Sequence, residues 1–413
     1  MLIANRQRIV IIGANFAGMN AAKGLSARDY EVTVIDPSPD FEWLPHIHEL
    51  ISRHKKADQL RHDRANLIQR AGHQFMLDEV IAIDYQQQRV QLKKGSYVPY
   101  EQLIVAIGNQ SLVSNIAGAA NYAIPFCCIA DAERAAHQLQ RLDSLGISNR
   151  PVVLVGANIE GLEVLGEIIR RYQKQWRFQV HVIEQNTQLM PHYHGLDSYL
   201  RGKMRDLDIT WHMGRTVIAV EKDAVVLDDG QRLNSRVTLW CAGAIPHPLL
   251  AQTPLAPTQG YAPVNAFLQS TVIANVWLAG DTVSIEPAIP KQAYHAIPMG
   301  ALIAKNIKRQ TQAKPLLEFK PLPIPSLMSF GETGFMLFPQ FALASPSFIA
   351  AKEGVFQANF HLMKLPKAMS DWHNLKSSLQ FSALNMGKLA KNTWLNRSML
   401  EARRFEAERH TTI

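Results

Sequence analysis

The sequence predicts an α/β protein with two successive units of parallel sheet and helix, and three observations support this. The 413 residues are 47% hydrophobic and 19% charged, which is enough to build two or three cored domains. A short apolar run ending in Gly-Ala-Asn occurs twice. Each copy is followed by a helical pattern and then by an apolar run that ends in an acid. This order of elements is typical of units with parallel strands.

The first copy begins with RIVIIGANFAG at residues 8–18. Its Val- and Ile-rich run, ended by glycine, predicts a buried parallel strand. A helix is expected over residues 19–25 and a second strand over residues 32–36. That strand ends in Asp36, 18 residues after Gly18, where an acid can accept hydrogen bonds from ribose hydroxyls.

The second copy has the same parts in the same order. It begins with PVVLVGANIEG at residues 151–161, followed by an expected helix over residues 162–171. The second strand, over residues 180–184, ends in Glu184, 23 residues after Gly161. Two complete copies are far more specific than one glycine motif.

The spacing has a chemical reason, because a tight glycine turn lets the free N–H groups of a helix N-terminus bind a pyrophosphate. We therefore predict two dinucleotide-binding units. The middle glycine of the motif is Asn15 in the first copy and Asn158 in the second. Asn readily tolerates positive φ, so we expect a usable but more crowded site. Glu184 would repel a 2′-phosphate, which favours NADH over NADPH.

Segments beyond these glycines resemble the flavoprotein oxidoreductases with two dinucleotide-binding domains, in particular the type II NADH dehydrogenase and apoptosis-inducing-factor branch. YEQLIVAIG at residues 100–108 resembles the first crossing between domains, with Ile107 in place of Thr. LWCAG at residues 239–243 resembles the second crossing. VWLAGD at residues 276–281 resembles the element whose Asp binds the ribityl chain of FAD.

The resemblance implies two Rossmann-like dinucleotide-binding domains and a smaller C-terminal α+β domain. An FAD domain of residues 1–120 and 243–312 would be split by an inserted NADH domain of residues 121–242. Residues 313–413 would form the C-terminal domain, facing the electron acceptor, a second copy or a membrane. FGETG at residues 330–334 resembles the start of the family's C-terminal strands.

The motifs and the resemblance together nominate candidate cofactor-binding residues. Those expected to hold FAD are Gly13, Asn15, Phe16, Ala17, Gly18, Asp36, Pro37, Val80, Ala106, Gly108, Gly280 and Asp281. Those expected to hold NADH are Gly156, Asn158, Ile159, Gly161 and Glu184, and Gly243 at the second crossing is a further cofactor-binding candidate. No metal-binding residue is predicted.

Three residues are candidates for catalysis on the strength of the resemblance. Glu163 matches a glutamate that faces the nicotinamide in relatives. Gln292 lies in a segment that lines the quinone pocket of type II dehydrogenases, although its position is shifted by two residues. His295 would touch the flavin or relay a proton, and a packed, hydrogen-bonded histidine is an equal alternative. For Glu167 we expect a surface ion pair with Arg170 or Arg171.

The spacing of the cysteines distinguishes branches of this family. The chain has Cys127, Cys128 and Cys241, none spaced as a redox-active pair. We predict that Cys127 and Cys128 are small packing residues, with a thiol role as the alternative. Trp43 falls where relatives place an aromatic residue against the flavin, and it could equally be core.

Charge and the C-terminal pattern bear on partners. The net charge is +8, but no dense basic block with interleaved aromatics occurs, so no nucleic acid partner is expected. Apolar residues at helical spacing between Trp372 and Trp394 predict an amphipathic helix. It would pack on its own domain or in a homodimer, with a membrane interface as the alternative. We expect a cytoplasmic protein, with peripheral contact to the inner face of the membrane left open.

These expectations combine into one functional hypothesis and two alternatives. The chain is expected to be an FAD-dependent NADH oxidoreductase that passes electrons to a quinone-like small acceptor without a redox disulfide. The first alternative is electron transfer to a redox protein or to O2. The second is a non-catalytic nucleotide-binding redox sensor or subunit, suggested by Asn15, Asn158 and Ile107.

Overall fold

The computed structural model describes residues 6–145, 150–256, 260–321 and 325–363. The predicted stripe between Trp372 and Trp394 lies outside these residues. Within the described part of the chain, no helix combines the length and the apolar character that crossing a bilayer requires.

The first part of the chain builds a parallel sheet with helices and two small antiparallel sheets. Its elements are β1 (Gln7–Ile12), α1 (Phe16–Gly24), β2 (Tyr30–Asp36), β3 (Asp40–Glu42), α2 (Glu49–Ser52), β4 (Arg61–Asp63), α3 (Arg64–Arg70), β5 (Gln74–Leu77), β6 (Val80–Asp84), β7 (Arg89–Leu92), β8 (Tyr97–Pro99), β9 (Gln102–Val105) and β10 (Asn109–Ser111).

The middle part repeats the parallel sheet. Its elements are α4 (Ala119–Tyr122), β11 (Ala123–Pro125), α5 (Ile129–Ser144), β12 (Pro151–Val155), α6 (Ile159–Tyr172), β13 (Gln179–Glu184), α7 (Leu196–Lys203), β14 (Ile209–Met213), β15 (Val217–Val220), β16 (Ala224–Leu227), β17 (Arg232–Asn234) and β18 (Val237–Trp240).

The last part returns to the first sheet and then adds a small unit of its own. Its elements are β19 (Ala244–Pro246), α8 (Pro248–Ala251), β20 (Ala262–Pro263), β21 (Val276–Leu278), β22 (Val283–Ser284), α9 (Ala293–Thr311), β23 (Ser326–Phe330), β24 (Thr333–Leu337), β25 (Ala342–Ser345) and α10 (Ser347–Leu362).

Two five-stranded sheets form the framework. The first has the order β21-β9-β1-β2-β5, so β21 returns to it after the whole middle part of the chain. The second has the order β11-β18-β12-β13-β14. The pairings of β1 with β2 and of β12 with β13 are parallel, as the two sequence copies predicted. An antiparallel pair, β10 with β19, joins the two units at the crossing segments. The predicted α/β class is confirmed, while the domain boundaries stay predictions.

The two sequence copies form strand–turn–helix units slightly longer than expected. Both helices begin three residues earlier than predicted, at Phe16 and Ile159. Both second strands begin one or two residues earlier, at Tyr30 and Gln179. Strand β12 is buried throughout and β1 is buried from Ile9 to Ile12, which is why their apolar runs are continuous rather than alternating.

The C-terminal unit is a three-stranded antiparallel sheet, β23-β24-β25, covered by α10. The FGETG segment forms the turn between its first two strands, where Phe330 pairs with Thr333 across Gly331 and Glu332. Strand β23 packs against α6 of the second sheet's unit. A side chain at Gly166 of α6 would collide with the backbone of Phe330 and Gly331, so this contact brings backbone against backbone.

Candidate functional site

The turn after β1 has the geometry of a pyrophosphate-binding loop. Gly13 has φ of +88°, and a Cβ there would meet the backbone of Ala106 at the end of β9. A Cβ at Gly18 would overlap the carbonyl oxygen of Gly13, because α1 packs closely on the turn. The N-terminus of α1 is therefore held against the end of the strand, where its free N–H groups can meet a phosphate.

Asp36 stands at the end of β2 and is tied to this turn. Its Oδ2 accepts a hydrogen bond from the Ala14 N–H at 2.7 Å, and its Oδ1 accepts one from the Ser38 N–H at 2.9 Å. The buried guanidinium of Arg64 also contacts Oδ1. The carboxylate therefore sits beside the phosphate loop in a fixed orientation, as a ribose-binding acid requires. Sequence reasoning missed Arg64, which lies 28 residues further along the chain.

The second copy repeats this arrangement. Gly156 has φ of +90°, and a Cβ at Gly161 would overlap the carbonyl oxygen of Gly156. Glu184, at the end of β13, accepts hydrogen bonds from the Ala157 N–H at 2.8 Å and from the Asn186 N–H at 3.0 Å. The Asn186 side chain also donates to it at 2.6 Å.

The expected reason for tolerating the two asparagines is wrong. Asn15 has φ of −93° and Asn158 has φ of −71°, so neither uses the positive-φ region. Asn158 instead caps α6: its Oδ1 accepts from the Gly161 N–H at 2.9 Å, and its Nδ2 donates to the Cys241 carbonyl at 3.0 Å. Asn15 makes no side-chain cap, and its buried Oδ1 has no partner among the described residues. The two loops therefore differ in how many N–H groups they leave for a ligand.

The Gly-Asp element lies at the start of α9, beside the first loop. The Gly108 N–H donates to the Thr282 hydroxyl at 2.9 Å, and the Asn109 amide donates to Asp281 at 3.3 Å. Burial raises the pKa of Asp281, and the charge of Lys291 opposes the rise. A Cβ at Gly300 would overlap the carbonyl oxygen of Ala17, so α9 and α1 also meet backbone to backbone.

The start of α9 holds the two candidates near this element. Gln292 precedes the helix, and its Oε1 accepts from the Ser326 hydroxyl on β23 at 3.1 Å. His295 is buried, burial lowers its pKa, and its Nδ1 has no partner among the described residues. A small pocket lined by Gly280, Asp281, Gln292 and His295 opens here.

Glu163 takes part in a buried cluster that sequence reasoning did not find. Its Oε1 pairs with the Lys352 ammonium on α10 at 2.5 Å and accepts from the Ser329 N–H of β23 at 2.9 Å. Its Oε2 lies 3.4 Å from Nδ1 of His48. Burial raises the pKa of Glu163, opposed by Lys352 and by the bonds from Ser329. The sequence contains one signal of this cluster, because Lys352 lies within the mainly apolar segment FIAAKEGVF at residues 348–356.

Two further glutamates lie on α6. Glu167 pairs with Arg170 at 2.9 Å, as expected, but it is 1% exposed and so is not on the surface. It is buried because Ser52, at the end of α2, packs over it and donates to its carboxylate. Glu160 was not singled out from the sequence; its residue is exposed overall, but desolvation of its carboxyl by the surrounding protein and the charge of Glu163 raise its pKa to about 8.

The cysteines and Trp43 are also placed. Cys127 is exposed, so its assignment as a packing residue is wrong, while Cys128 is half-buried. The protein around each thiol still desolvates it and raises its pKa, to about 12 for Cys127 and about 11 for Cys128. Trp43 is part of the core. Its ring centroid lies 5.2 Å from that of Phe16 and 5.5 Å from that of Phe356.

The geometry fits two dinucleotides. Each loop has a turn that a side chain would fill, a helix N-terminus and an acid held beside it. Among the described residues, no group of three or more His, Cys, Asp or Glu side chains could hold a metal ion.

Comparisons with known proteins agree with this geometry. A curated relative, the demethylphylloquinone reductase NdbB of Synechocystis, is 24% identical over 398 residues, covering 89% of this chain and 98% of that protein. The type II NADH:quinone oxidoreductase of Staphylococcus aureus is 22% identical over 355 residues, covering 79% and 88%.

Solved structures show the same fold. NDH2 of Plasmodium falciparum in complex with NADH has a TM-score of 0.77 at 16% identity, covering 91% of this chain and 98% of that one. The sulfide:quinone oxidoreductase of Aquifex aeolicus also scores 0.77, at 17% identity, covering 87% and 91%. The model of the pyridine nucleotide-disulphide oxidoreductase family matches residues 7–300. The chain therefore belongs to the pyridine nucleotide-disulphide oxidoreductase family.

Proposed function

We propose that this chain oxidises NADH and reduces a quinone, with FAD as its resident cofactor. When bound, FAD supplies the redox chemistry, because it accepts two electrons from NADH and releases them to the acceptor. Two curated relatives carry names that describe quinone reduction, which supports the choice of acceptor. The protein's own part is to bind, orient and supply protons.

The two loops divide the nucleotides between them. The first loop, with Gly13, Gly18 and Asp36, would hold the adenosine diphosphate part of FAD, and Asp281 would hold its ribityl chain. The second loop, with Gly161 and Glu184, would hold NADH. The Glu184 carboxylate, held by the neutral amide of Asn186, would repel a 2′-phosphate, which supports NADH over NADPH.

The start of α9 would face the flavin. Its unpaired N–H groups carry partial positive charge, which favours an anionic reduced cofactor. Lys291 adds a full charge at the same place: its ammonium donates to the carbonyls of Asp281 at 3.0 Å and Val283 at 2.6 Å. Gln292 and the buried His295 would border the acceptor.

The observation that carries the quinone assignment is the buried ionisable cluster of Glu163, Lys352 and His48. It contacts Ser329 of β23, while Gln292 contacts Ser326 of the same strand. Ser326 and Ser329 are about 10 Å apart along the strand, so β23 connects the cluster to the start of α9. A quinone takes up protons as it is reduced, whereas an iron–sulfur protein takes up electrons only. Buried proton-bearing groups at this position therefore favour a quinone over a redox protein.

Steady-state oxidation of NADH under nitrogen tests this proposal. We expect turnover with a short-chain quinone, and at least tenfold less with a ferredoxin at equal concentration. NADPH should be a poorer donor than NADH. Rapid turnover with ferredoxin or with O2, and none with quinone, would refute the assigned acceptor. We further propose that the protein contacts a membrane peripherally, and assays with and without anionic vesicles test this.

A further inference from the structure

We propose that Glu49 and the cavity beside it form the entrance through which solvent protons reach Glu163 and Lys352. This inference rests on the proposed function and deepens it. Conversion of NADH and a quinone to NAD⁺ and a quinol consumes one further proton from solvent per turnover. That proton must travel from water to a buried acceptor, so a route is required.

The cavity connects solvent to the buried cluster. Its volume is about 590 Å³, and its lining includes exposed residues, His54 and Glu332, as well as buried ones, Glu49, Ser329 and Lys352. A water molecule takes up about 30 Å³ of liquid, so the cavity holds many. Water in it therefore reaches side chains that belong to the Glu163 cluster.

Glu49 is the lining residue best placed to accept a proton from this water. It is 6% exposed, and its Oε2 has no hydrogen-bond partner among the described residues. The cation nearest to this oxygen is the Lys55 ammonium, whose Nζ lies 3.8 Å away. A buried carboxylate oxygen without a hydrogen-bond donor is unfavourable, whereas a protonated one beside water is satisfied. Burial raises the pKa of Glu49 to about 7, a value suited to proton exchange at neutral pH.

His48 connects Glu49 to the cluster, and His46 lies beside Glu49 as well. Oε1 of Glu49 lies 3.9 Å from Nε2 of His48 and 3.8 Å from Nε2 of His46. His48 in turn lies 3.4 Å from Lys352 through Nε2 and 3.4 Å from Glu163 through Nδ1. Burial lowers the pKa of both histidines, so they are neutral at pH 7. A neutral imidazole can accept a proton at one nitrogen and release one at the other.

The gaps near 3.9 Å are longer than hydrogen bonds. A small rotation of the Glu49 side chain would bring its carboxylate within hydrogen-bond distance of His48. The route is thus cavity water, Glu49, His48, and then Glu163 with Lys352.

Charges of both signs surround Glu49, on the elements packed against it. Lysines on α10 and after α2 lower its pKa, carboxylates on α6 and α10 raise it, and burial is the largest cause of the shift. The ionisable groups facing it are His46, His48, His54, Lys55, Glu163, Glu167, Arg170, Lys352 and Glu353.

The test uses the FAD-loaded enzyme in anaerobic stopped-flow experiments, with Glu49→Gln as the variant. Gln keeps the shape and hydrogen bonding of a protonated Glu but cannot transfer a proton. We expect the rate at which NADH bleaches the flavin absorbance to be unchanged. The rate at which quinone restores that absorbance should fall by at least tenfold at pH 7. Glu332→Gln is the matched control, since it lines the same cavity outside the route, and it should behave as wild type.

The pH profile separates a proton route from a structural role. In the wild type, quinone-dependent recovery should fall as pH rises through about 7, because Glu49 loses its proton there. Glu49→Gln should lose this inflection, and Glu49→Asp, which restores a titratable group, should regain it. If Glu49→Gln does not fold, the wild-type profile and the Glu49→Asp variant still decide the question.

Three results would overturn the inference. These are a Glu49→Gln variant with wild-type recovery and pH profile, an equal loss in Glu332→Gln, and a wild-type profile without an inflection near pH 7. Failure of the proposed function is distinguishable, because the wild-type flavin would then not be reoxidised by quinone at all.

Discussion

The ammonium of Lys352 on α10 forms an ion pair with the carboxylate of Glu163 on α6 at 2.5 Å. This pair joins the C-terminal unit to the unit that we propose binds NADH. Both side chains are buried, at 7% and 6% exposure, so each charge depends on the other.

Removal of the lysine should therefore destabilise the protein in a pH-dependent way. In Lys352→Met, Glu163 stays buried without its cation, and its pKa in the folded state rises further. A carboxyl whose pKa is raised on folding is stabilising while protonated, below the unfolded pKa of about 4.3. Stability is lost as pH rises through the folded pKa. We expect a loss of about 3–5 kcal/mol at pH 8 and a smaller loss at pH 5.5.

Thermal unfolding at the two pH values measures this effect. Lys93→Met is the matched control, since Lys93 pairs with Glu79 on the surface. It should change stability little at either pH. The double variant Glu163→Gln with Lys352→Met should recover most of the stability at pH 8. Equal losses for Lys352→Met at both pH values would contradict the assigned burial of Glu163.

We expect substitutions in the two glycine loops to impair the binding of different nucleotides. Gly18→Ala places a methyl group against the Gly13 carbonyl and should abolish FAD binding, seen as loss of flavin absorbance in the purified protein. Gly161→Ala makes the equivalent collision in the second loop and should raise the Kd for NADH while flavin content stays near that of wild type. Gly202→Ala is the control, because nothing lies within 4 Å of its Cβ. Full flavin content in Gly18→Ala would refute the first assignment.

Glu184→Gln should weaken NADH more than FAD. Three internal hydrogen bonds hold the carboxylate beside the second loop. A charge-assisted hydrogen bond from a ribose hydroxyl to this carboxylate would contribute about 1.5–3 kcal/mol to NADH binding. We expect the Kd for NADH to rise by roughly tenfold or more. Glu221→Gln, which removes a surface partner of Arg232, serves as control. An unchanged NADH titration would remove Glu184 from the site.

The cysteines should be dispensable for electron transfer. Both thiols of Cys127 and Cys128 have raised pKa values, so neither is a thiolate at pH 7. The double variant Cys127→Ser with Cys128→Ser should retain quinone reductase activity within twofold. A loss of more than tenfold with full flavin content would indicate a thiol step after all.

The sequence predicted the parts of this protein whose signals are local. A buried strand, a glycine turn and an acid at a set distance appear within 30 residues, so both loops, Asp36 and Glu184 were found. The roles of Glu49, His48 and Lys352 were missed because they depend on contacts between α2, α6 and α10. These helices are far apart in the sequence and meet only in the folded protein. Asn158 was found for the wrong reason, since its role as a helix cap depends on its backbone geometry.

The central claim is that FAD and NADH bind to one chain and exchange electrons there. The visible spectrum of the purified protein, recorded anaerobically before and after addition of one equivalent of NADH, tests it most directly. We expect an oxidised flavin spectrum that bleaches rapidly and returns when quinone is added. Absence of flavin, or a flavin that NADH does not bleach, would refute electron exchange between the two cofactors and favour a non-catalytic nucleotide-binding role.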